Sequence, residues 1–100
     1  MILCPTTLCP AFEHDHQPDL HSRRIEVNGQ DRNYIDISIW AELANCAQLP
    51  ATNIPIGLSK AGLPISIQAM GPYLEDSTTI EFAKLVSEIT NGFMAPPRIQ

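Results

Sequence analysis

Positive charge is scarce in this sequence: six lysines and arginines stand against eleven aspartates and glutamates, a net charge of −5. No basic cluster exists beyond the pair Arg23-Arg24. Holding a phosphate backbone or an anionic lipid surface requires a positive field, so nucleic acid and membrane are excluded as expected partners. Long apolar runs are also missing. A membrane-crossing helix needs about 20 consecutive apolar residues, and Pro55, Gly57, Lys60, Gly62 and Pro64 interrupt the most hydrophobic stretch, from Ile54 to Met70. The apolar start, Met1 to Phe12, has no basic residue and holds Pro5 and Pro10, which does not fit a secretion signal. There is no CxxC pair, and three cysteines (Cys4, Cys9 and Cys46) leave at least one thiol unpaired. That favours a reducing compartment, and the expected location is cytoplasmic.

What is present is enough for a folded domain: 44% of residues are hydrophobic and 17% charged, so disorder is not expected. One hundred residues suit a single domain, 1–100, with little stability to spare for an incomplete core. Residues 1–24 read as a strand plus a long loop. Ile2-Leu3-Cys4 forms a short buried strand stopped by Pro5, whose missing N–H cannot serve an interior ladder. The aperiodic stretch from Thr6 to Arg24 follows. At about nineteen residues it exceeds the ordinary connection length, which points to a lid or lining segment.

Residues 25–34 read as a hairpin, because Asn28-Gly29 supplies the positive φ angles of a type I′ turn between Ile25-Glu26-Val27 and the segment around Tyr34. Residues 35–49 read as a helix with Ile39, Trp40, Leu43, Ala44 and Ala47 on one stripe, capped by Asp36 or Ser38 and ended by Pro50. Residues 52–70 hold two Ile-rich strands joined through Gly57 and Ala61-Gly62. Residues 76–93 read as a second helix, with Thr78 and Glu81 spaced as a capping box and Phe82, Leu85, Val86, Ile89 and Phe93 on one side. The fold class is α/β, a partial mixed β-sheet with two helices. These elements are too few to cover both faces of a sheet, so one face is expected to be bare.

Asn45-Cys46-Ala47-Gln48-Leu49-Pro50-Ala51, continued by Pro55 and Gly57, and then Gly62-Leu63-Pro64-Ile65-Ser66-Ile67-Gln68, resemble the carboxy-terminal region of the amidase signature family. There the pattern runs N-x-x-G-L-P-A-x-x-x-P-x-G and then G-L-P-[VI]-G-[VI]-Q. Ile2-Leu3-Cys4-Pro5-Thr6, Pro10-Ala11-Phe12 with His14-Asp15, and the helix from Asp76 to Phe93 with Pro96-Pro97 extend the likeness over nearly the whole chain. Gln48 and Ser66 depart from it, standing where the family usually has Gly.

The resemblance implies a segment of an amide hydrolase that completes a large sheet and walls part of the substrate pocket. Members cleave carboxamides with a Ser nucleophile, a second Ser and a Lys base on a Gly/Ser-rich region. This chain has no Gly-Gly-Ser-Ser run, and Lys60 and Lys84 are its only lysines. No catalytic residue and no cofactor is therefore assigned to it, and amide cleavage needs an activated nucleophile and oxyanion donors supplied from elsewhere. The implied partners are a small-molecule amide substrate in the full enzyme and either the catalytic portion or a second copy. Asp36, Ser38 and Trp40 are the substrate-binding candidates, the first two for an amine or amide and the third as a flat apolar wall. The bland alternative makes Asp36 a cap and Trp40 core.

Two other readings are carried. One is a stand-alone interaction module that pairs an uncovered face with a partner. The other is a small zinc-binding domain using Cys4, Cys9, His14, His16 and His21, whose sulfur and imidazole suit zinc. No metal ligand is assigned, because the spacing matches no common finger. Gly57-Leu58-Ser59-Lys60-Ala61 approaches a G-x-S-x-G nucleophile elbow, but no helix follows it, and Ser59-Lys60 reads as a solvated connection.

Overall fold

In the computed structural model, residues 1–97 are described. Asn28 and Gly29 adopt φ angles of 53° and 75° and close a two-residue turn between strands β2 (Arg24–Val27) and β3 (Gln30–Asn33). This hairpin is a sheet of its own. A second sheet has the order β1-β5-β4, from β1 (Ile2–Pro5), β4 (Ala51–Leu58) and β5 (Pro64–Met70), with both pairings antiparallel. The helices are α1 (Ile39–Ala47) and α2 (Asp76–Thr90). Short 3-10 turns occupy Leu20–Ser22 and Tyr34–Ser38. The class is α/β with two helices, as the sequence pattern implied, and every strand pairing among the described residues is antiparallel.

Neither face of the three-stranded sheet is bare, contrary to the expectation. Successive side chains of a strand point to opposite faces. Gln68 and its partner Cys4 face α1, where Gln68 Nε2 donates to the Trp40 carbonyl at 3.3 Å and to Cys4 Sγ at 3.4 Å. Cys4, Ala44 and Met70 form a small core there, with Trp40 packed against it. Ala69 and its partner Thr52 face α2, and the Thr52 hydroxyl donates to Thr79 Oγ1 at 2.8 Å. Thr79 Oγ1 donates on to the Asp76 carbonyl at 2.9 Å, so a hydroxyl that is 1% exposed is fully partnered. A sheet of three strands is narrow enough for one helix per face. Each helix covers only a strip, however, and α2 lies mainly over β4.

β1 is therefore not the buried strand its composition implied. It is an edge strand with Ile2 57% and Leu3 54% exposed, and only Cys4 is buried. Composition reports what a strand can bury, whereas exposure depends on which layers lie over it.

The residues drawn as one helix, 35–49, divide at Ser38. Asn33 Oδ1 accepts from the Ile35 N–H at 3.0 Å and starts the 3-10 turn Tyr34–Ser38, and α1 begins only at Ile39. Of its stripe, Trp40 and Ala44 pack on the sheet while Ile39 and Leu43 stay exposed. The capping box is displaced as well. Thr78 lies inside α2, whose first turn is closed by Glu75: the Thr78 N–H donates to the Glu75 carbonyl and the Thr78 hydroxyl to Glu75 Oε2, both at 3.0 Å. The helix starts at Asp76, the residue at which the 76–93 reading begins it, but the tight turn after Pro72 sets its first residues, so Thr78 does not cap it. It ends at Thr90, and Asn91 adopts φ 65° as its left-handed stop. Packing selects Thr79, Phe82, Ala83 and Val86, leaving Leu85, Ile89 and Phe93 outside.

The backbone at Gln48 accounts for the glycine that the resembled pattern has at that position. It adopts φ 54° and ψ 39° at the end of α1, its N–H donates to the Asn45 carbonyl at 3.2 Å, and the Leu49 N–H reaches back to the Ala44 carbonyl at 3.0 Å. That pairing is a Schellman stop, whose left-handed residue is usually glycine because a Cβ is unfavourable there. Gln48→Gly is expected to raise stability by about 0.5–1 kcal/mol, read as an upward shift of the urea midpoint. An unchanged or lower midpoint would show that the left-handed residue carries no strain.

Candidate functional site

The long loop builds a concave surface against β5. Thr7 to Ala11 from the loop and Pro64, Ile65 and Ser66 from β5 line a depression of about 230 Å³. Thr6 ties the loop to the sheet, its hydroxyl accepting from Ser66 Oγ at 2.9 Å and lying 3.4 Å from Asn53 Oδ1. Ser66, the second departure from the family pattern, thus uses its side chain to fasten the loop. A glycine there would give no such tie.

A neighbouring depression of about 350 Å³ is lined by Ala11 to His16 together with Arg23 and Tyr34. The Phe12 and Tyr34 rings meet edge to face at 6.2 Å, and the Arg23 guanidinium lies 5.6 Å from the Tyr34 ring centre. Arg23 Nε also donates to the Gln17 carbonyl at 2.7 Å, which fastens the far end of the loop. His14 and His16 stand edge to face at 5.8 Å. Asp19 caps the 3-10 turn that follows: the His21 backbone N–H and the Ser22 hydroxyl hold its carboxyl below the ordinary value.

Asp36, Ser38 and Trp40 are neighbours along the junction into α1, and each is engaged locally. Asp36 pairs with Arg32 at 3.2 Å on the surface. Ser38 Oγ donates to Glu42 Oε1, with the Ile35 carbonyl 3.2 Å away as its other available acceptor, and makes no backbone cap bond. Trp40 rests on the Cys4, Ala44 and Met70 core and lends its carbonyl to Gln68. None of the three lines either loop depression.

Of the residues that do line them, Cys9, His14 and His16 enter the sequence reading as candidate zinc ligands and Ser66 as a departure from the family pattern, while Phe12, Arg23 and Tyr34 have no role in a site there. Loop length marked the segment, but the contact between Phe12 and Tyr34 spans an aperiodic stretch that carries no local signal.

The zinc reading finds no site. Among the described residues no group of three or more His, Cys, Asp or Glu side chains is placed to hold a metal ion. Cys4 is buried in the small core with Ala44 and Met70.

Burial raises the pKa of the Cys9 thiol, whereas Cys46 is exposed on α1. Thiolate is the reactive form, so iodoacetamide at neutral pH is expected to label Cys46 first, Cys9 more slowly and Cys4 only on unfolding. Peptide mass mapping over a time course checks this order, and equal rates at Cys4 and Cys46 would contradict the burial described.

These elements define an α/β protein in which a loop tied at both ends walls a recess beside a small antiparallel sheet. The chain belongs to the amidase family: the family model described as Amidase matches residues 1–80. Among similar proteins, the glutamyl-tRNA(Gln) amidotransferase A subunit of Ehrlichia chaffeensis is 32% identical over 93 residues, which are 93% of this chain and 17% of that protein. The mitochondrial protein of the same name from Pediculus humanus subsp. corporis is 34% identical over 91% of this chain and 17% of its own length. That of Wolbachia pipientis subsp. Culex pipiens is 38% identical over 87% of this chain and 16% of its own length. The chain thus spans 17% or less of each of these relatives. No helix among the described residues is long and apolar enough to cross a membrane.

Proposed function

We propose that this chain is the carboxy-terminal scaffold of an amidase-type enzyme acting on carboxamide C–N bonds in the cytoplasm, without turnover of its own. It supplies part of the sheet and, through the loop from Thr6 to Arg23, part of a substrate wall. The nucleophile and base come from the larger portion that such enzymes carry. The similar proteins named above belong to amidotransferases, and an amidotransferase must free its nitrogen from a carboxamide. The net charge of −5 argues that any contact with tRNA falls outside this segment. Asp36, Ser38 and Trp40 retain a place as secondary contacts, reached only if the junction before α1 borders the pocket of the assembled enzyme.

The observation that carries this reading is surface. The chain exposes 7613 Å², whereas a compact monomer of its mass exposes about 5,600 Å². Its radius of gyration is 15.3 Å, against about 13 Å for a closed domain of this length. Ile2, Leu3, Leu85 and Ile89 are among the large apolar side chains left exposed.

A purified sample is expected to release no ammonia from glutamine or simple aryl amides and to elute as a dimer or larger species. A monodisperse monomer that hydrolyses any of these amides would overturn the proposal. The interaction-module reading rests on the same open surface, and differs in predicting a defined partner complex with no link to amide cleavage.

A further inference from the structure

We infer that Asn91 is a site of spontaneous deamidation, and that the folded chain ages at this residue, the stop of α2, ahead of its other Asn-Gly pair, Asn28-Gly29. This stands apart from the scaffold reading and rests on how the backbone is held at the two pairs.

Deamidation closes a succinimide ring. The backbone nitrogen of the following residue attacks the side-chain carbonyl carbon of asparagine and forms an N–C bond. The C–N bond to the side-chain amide breaks, and ammonia leaves with the proton that the backbone nitrogen gives up. Water then opens the ring to aspartate or isoaspartate, and no other reactant is required. A Cβ on the following residue hinders the approach, so glycine, which has none, is the favourable neighbour. Asn33, Asn45 and Asn53 precede Tyr34, Cys46 and Ile54, which leaves Asn28 and Asn91.

Both of these asparagines are exposed and left-handed, at φ 53° and 65°. They differ in what holds the nitrogen that follows. Asn28-Gly29 is clamped on both flanks: Val27 pairs with Gln30 across the turn, and the Arg24 guanidinium meets the Asp31 carboxylate at 2.9 Å between the same two strands. Turning Gly29 onto the Asn28 amide therefore waits for the hairpin to open.

Asn91-Gly92 is fixed on one flank only, since α2 ends at Thr90 and residues 91–97 form neither helix nor strand. The stop is also unfastened. At the end of α1 the left-handed Gln48 is locked by its own N–H and by that of Leu49. Among the described residues no such bond closes α2, because neither the Asn91 nor the Gly92 N–H returns to a helix carbonyl. Gly92 can swing onto the Asn91 side chain by rotation about the Asn91 ψ, which stands at 7°, with no backbone hydrogen bond to break.

The product bears on how α2 is held. A carboxylate at residue 91 adds negative charge beside the negative end of the helix, and isoaspartate lengthens the backbone by a methylene. Just before it, the Thr90 hydroxyl ties α2 to β4 through the Pro55 carbonyl at 3.1 Å. Deamidation therefore loosens the end of α2 from the strand it covers.

The test incubates the full chain at mildly alkaline pH, folded and in guanidinium chloride, and follows the Asn28 and Asn91 peptides by mass mapping. In the folded chain Asn91 is expected to convert about tenfold or more faster than Asn28, and the two rates should converge in guanidinium. Equal rates in the folded chain, or a faster Asn28, would overturn the inference. So would a gap that persists in guanidinium, since local sequence and not structure would then set it, or an Asn91 that resists while the unfolded chain converts. Asn91→Gly keeps a residue suited to the left-handed stop and removes the amide, so most of the ammonia released by the folded chain should disappear. Undiminished release from this variant would also count against Asn91. The release stops once the residue is consumed and is indifferent to added amide, which separates it from turnover and keeps its outcome independent of the scaffold reading.

Discussion

Ile54→Ala is expected to abolish cooperative unfolding of the isolated chain. Ile54 is 0% exposed and, among the described residues, is with Thr79 the largest side chain buried so completely. It sits on β4 opposite Ile67, on the face where α2 packs. Removing its three carbon atoms loses their transfer free energy and leaves a cavity, together about 2–5 kcal/mol. A well-packed domain holds about 5–15 kcal/mol in total, and a chain with this much open surface falls at or below the lower end. The measurement is a urea melt followed by far-ultraviolet circular dichroism, with Leu58→Ala, at an exposed position of the same strand, as the control. A sigmoidal transition at the wild-type midpoint for Ile54→Ala would show that the α2 face is not the stabilising core.

Gly71→Ala is the second large effect, and its cause is contact rather than backbone conformation. Gly71 follows β5, its N–H donates to the Pro50 carbonyl at 2.9 Å, and it lies outside the left-handed region. A Cβ built there comes 2.6 Å from Thr79 Cγ2. Thr79 cannot swing away cheaply, because its hydroxyl is held between Thr52 and the Asp76 carbonyl. The overlap is expected to cost about 1–3 kcal/mol. Thr79→Ser removes the clashing methyl and keeps the hydroxyl, so the double variant Gly71→Ala with Thr79→Ser should recover most of the loss. A double-mutant cycle in urea measures that coupling. Additive losses would place the strain somewhere other than this pair.

Much of the fold was legible because it is locally encoded. Asn28-Gly29 dictates a hairpin, the Ile-rich runs around Gly62 dictate two adjacent strands, and Asn91-Gly92 marks where α2 stops. What was illegible depends on neighbours distant in sequence. The spacing of Ile39, Trp40 and Leu43 shows a stripe, but only the position of Gln68, whose amide reaches the Trp40 carbonyl, decides which part of it meets the sheet. The capping-box spacing at Thr78 is real and was outcompeted by the turn that starts at Pro72.

The candidate site follows the same rule. The long loop could be marked as a lining element from its length alone. Its walls could not be read, since the meeting of Phe12 with Tyr34, and of Thr6 with Ser66, requires the chain to return on itself. The odd residue Gln48 was noticed as a departure, and the left-handed angle supplies its meaning.

The position of β5 bears on how the molecule comes apart. It is the one strand of its sheet with a neighbour along each edge, and its last residues, Gln68 to Met70, are all buried. Local opening begins where few apolar contacts hold the backbone. The small hairpin and the turn at Leu20 can therefore fray while β5 keeps its ladder intact, so that when denaturation is gradual the peptide hydrogens of Gln68, Ala69 and Met70 should be the last to be released to solvent.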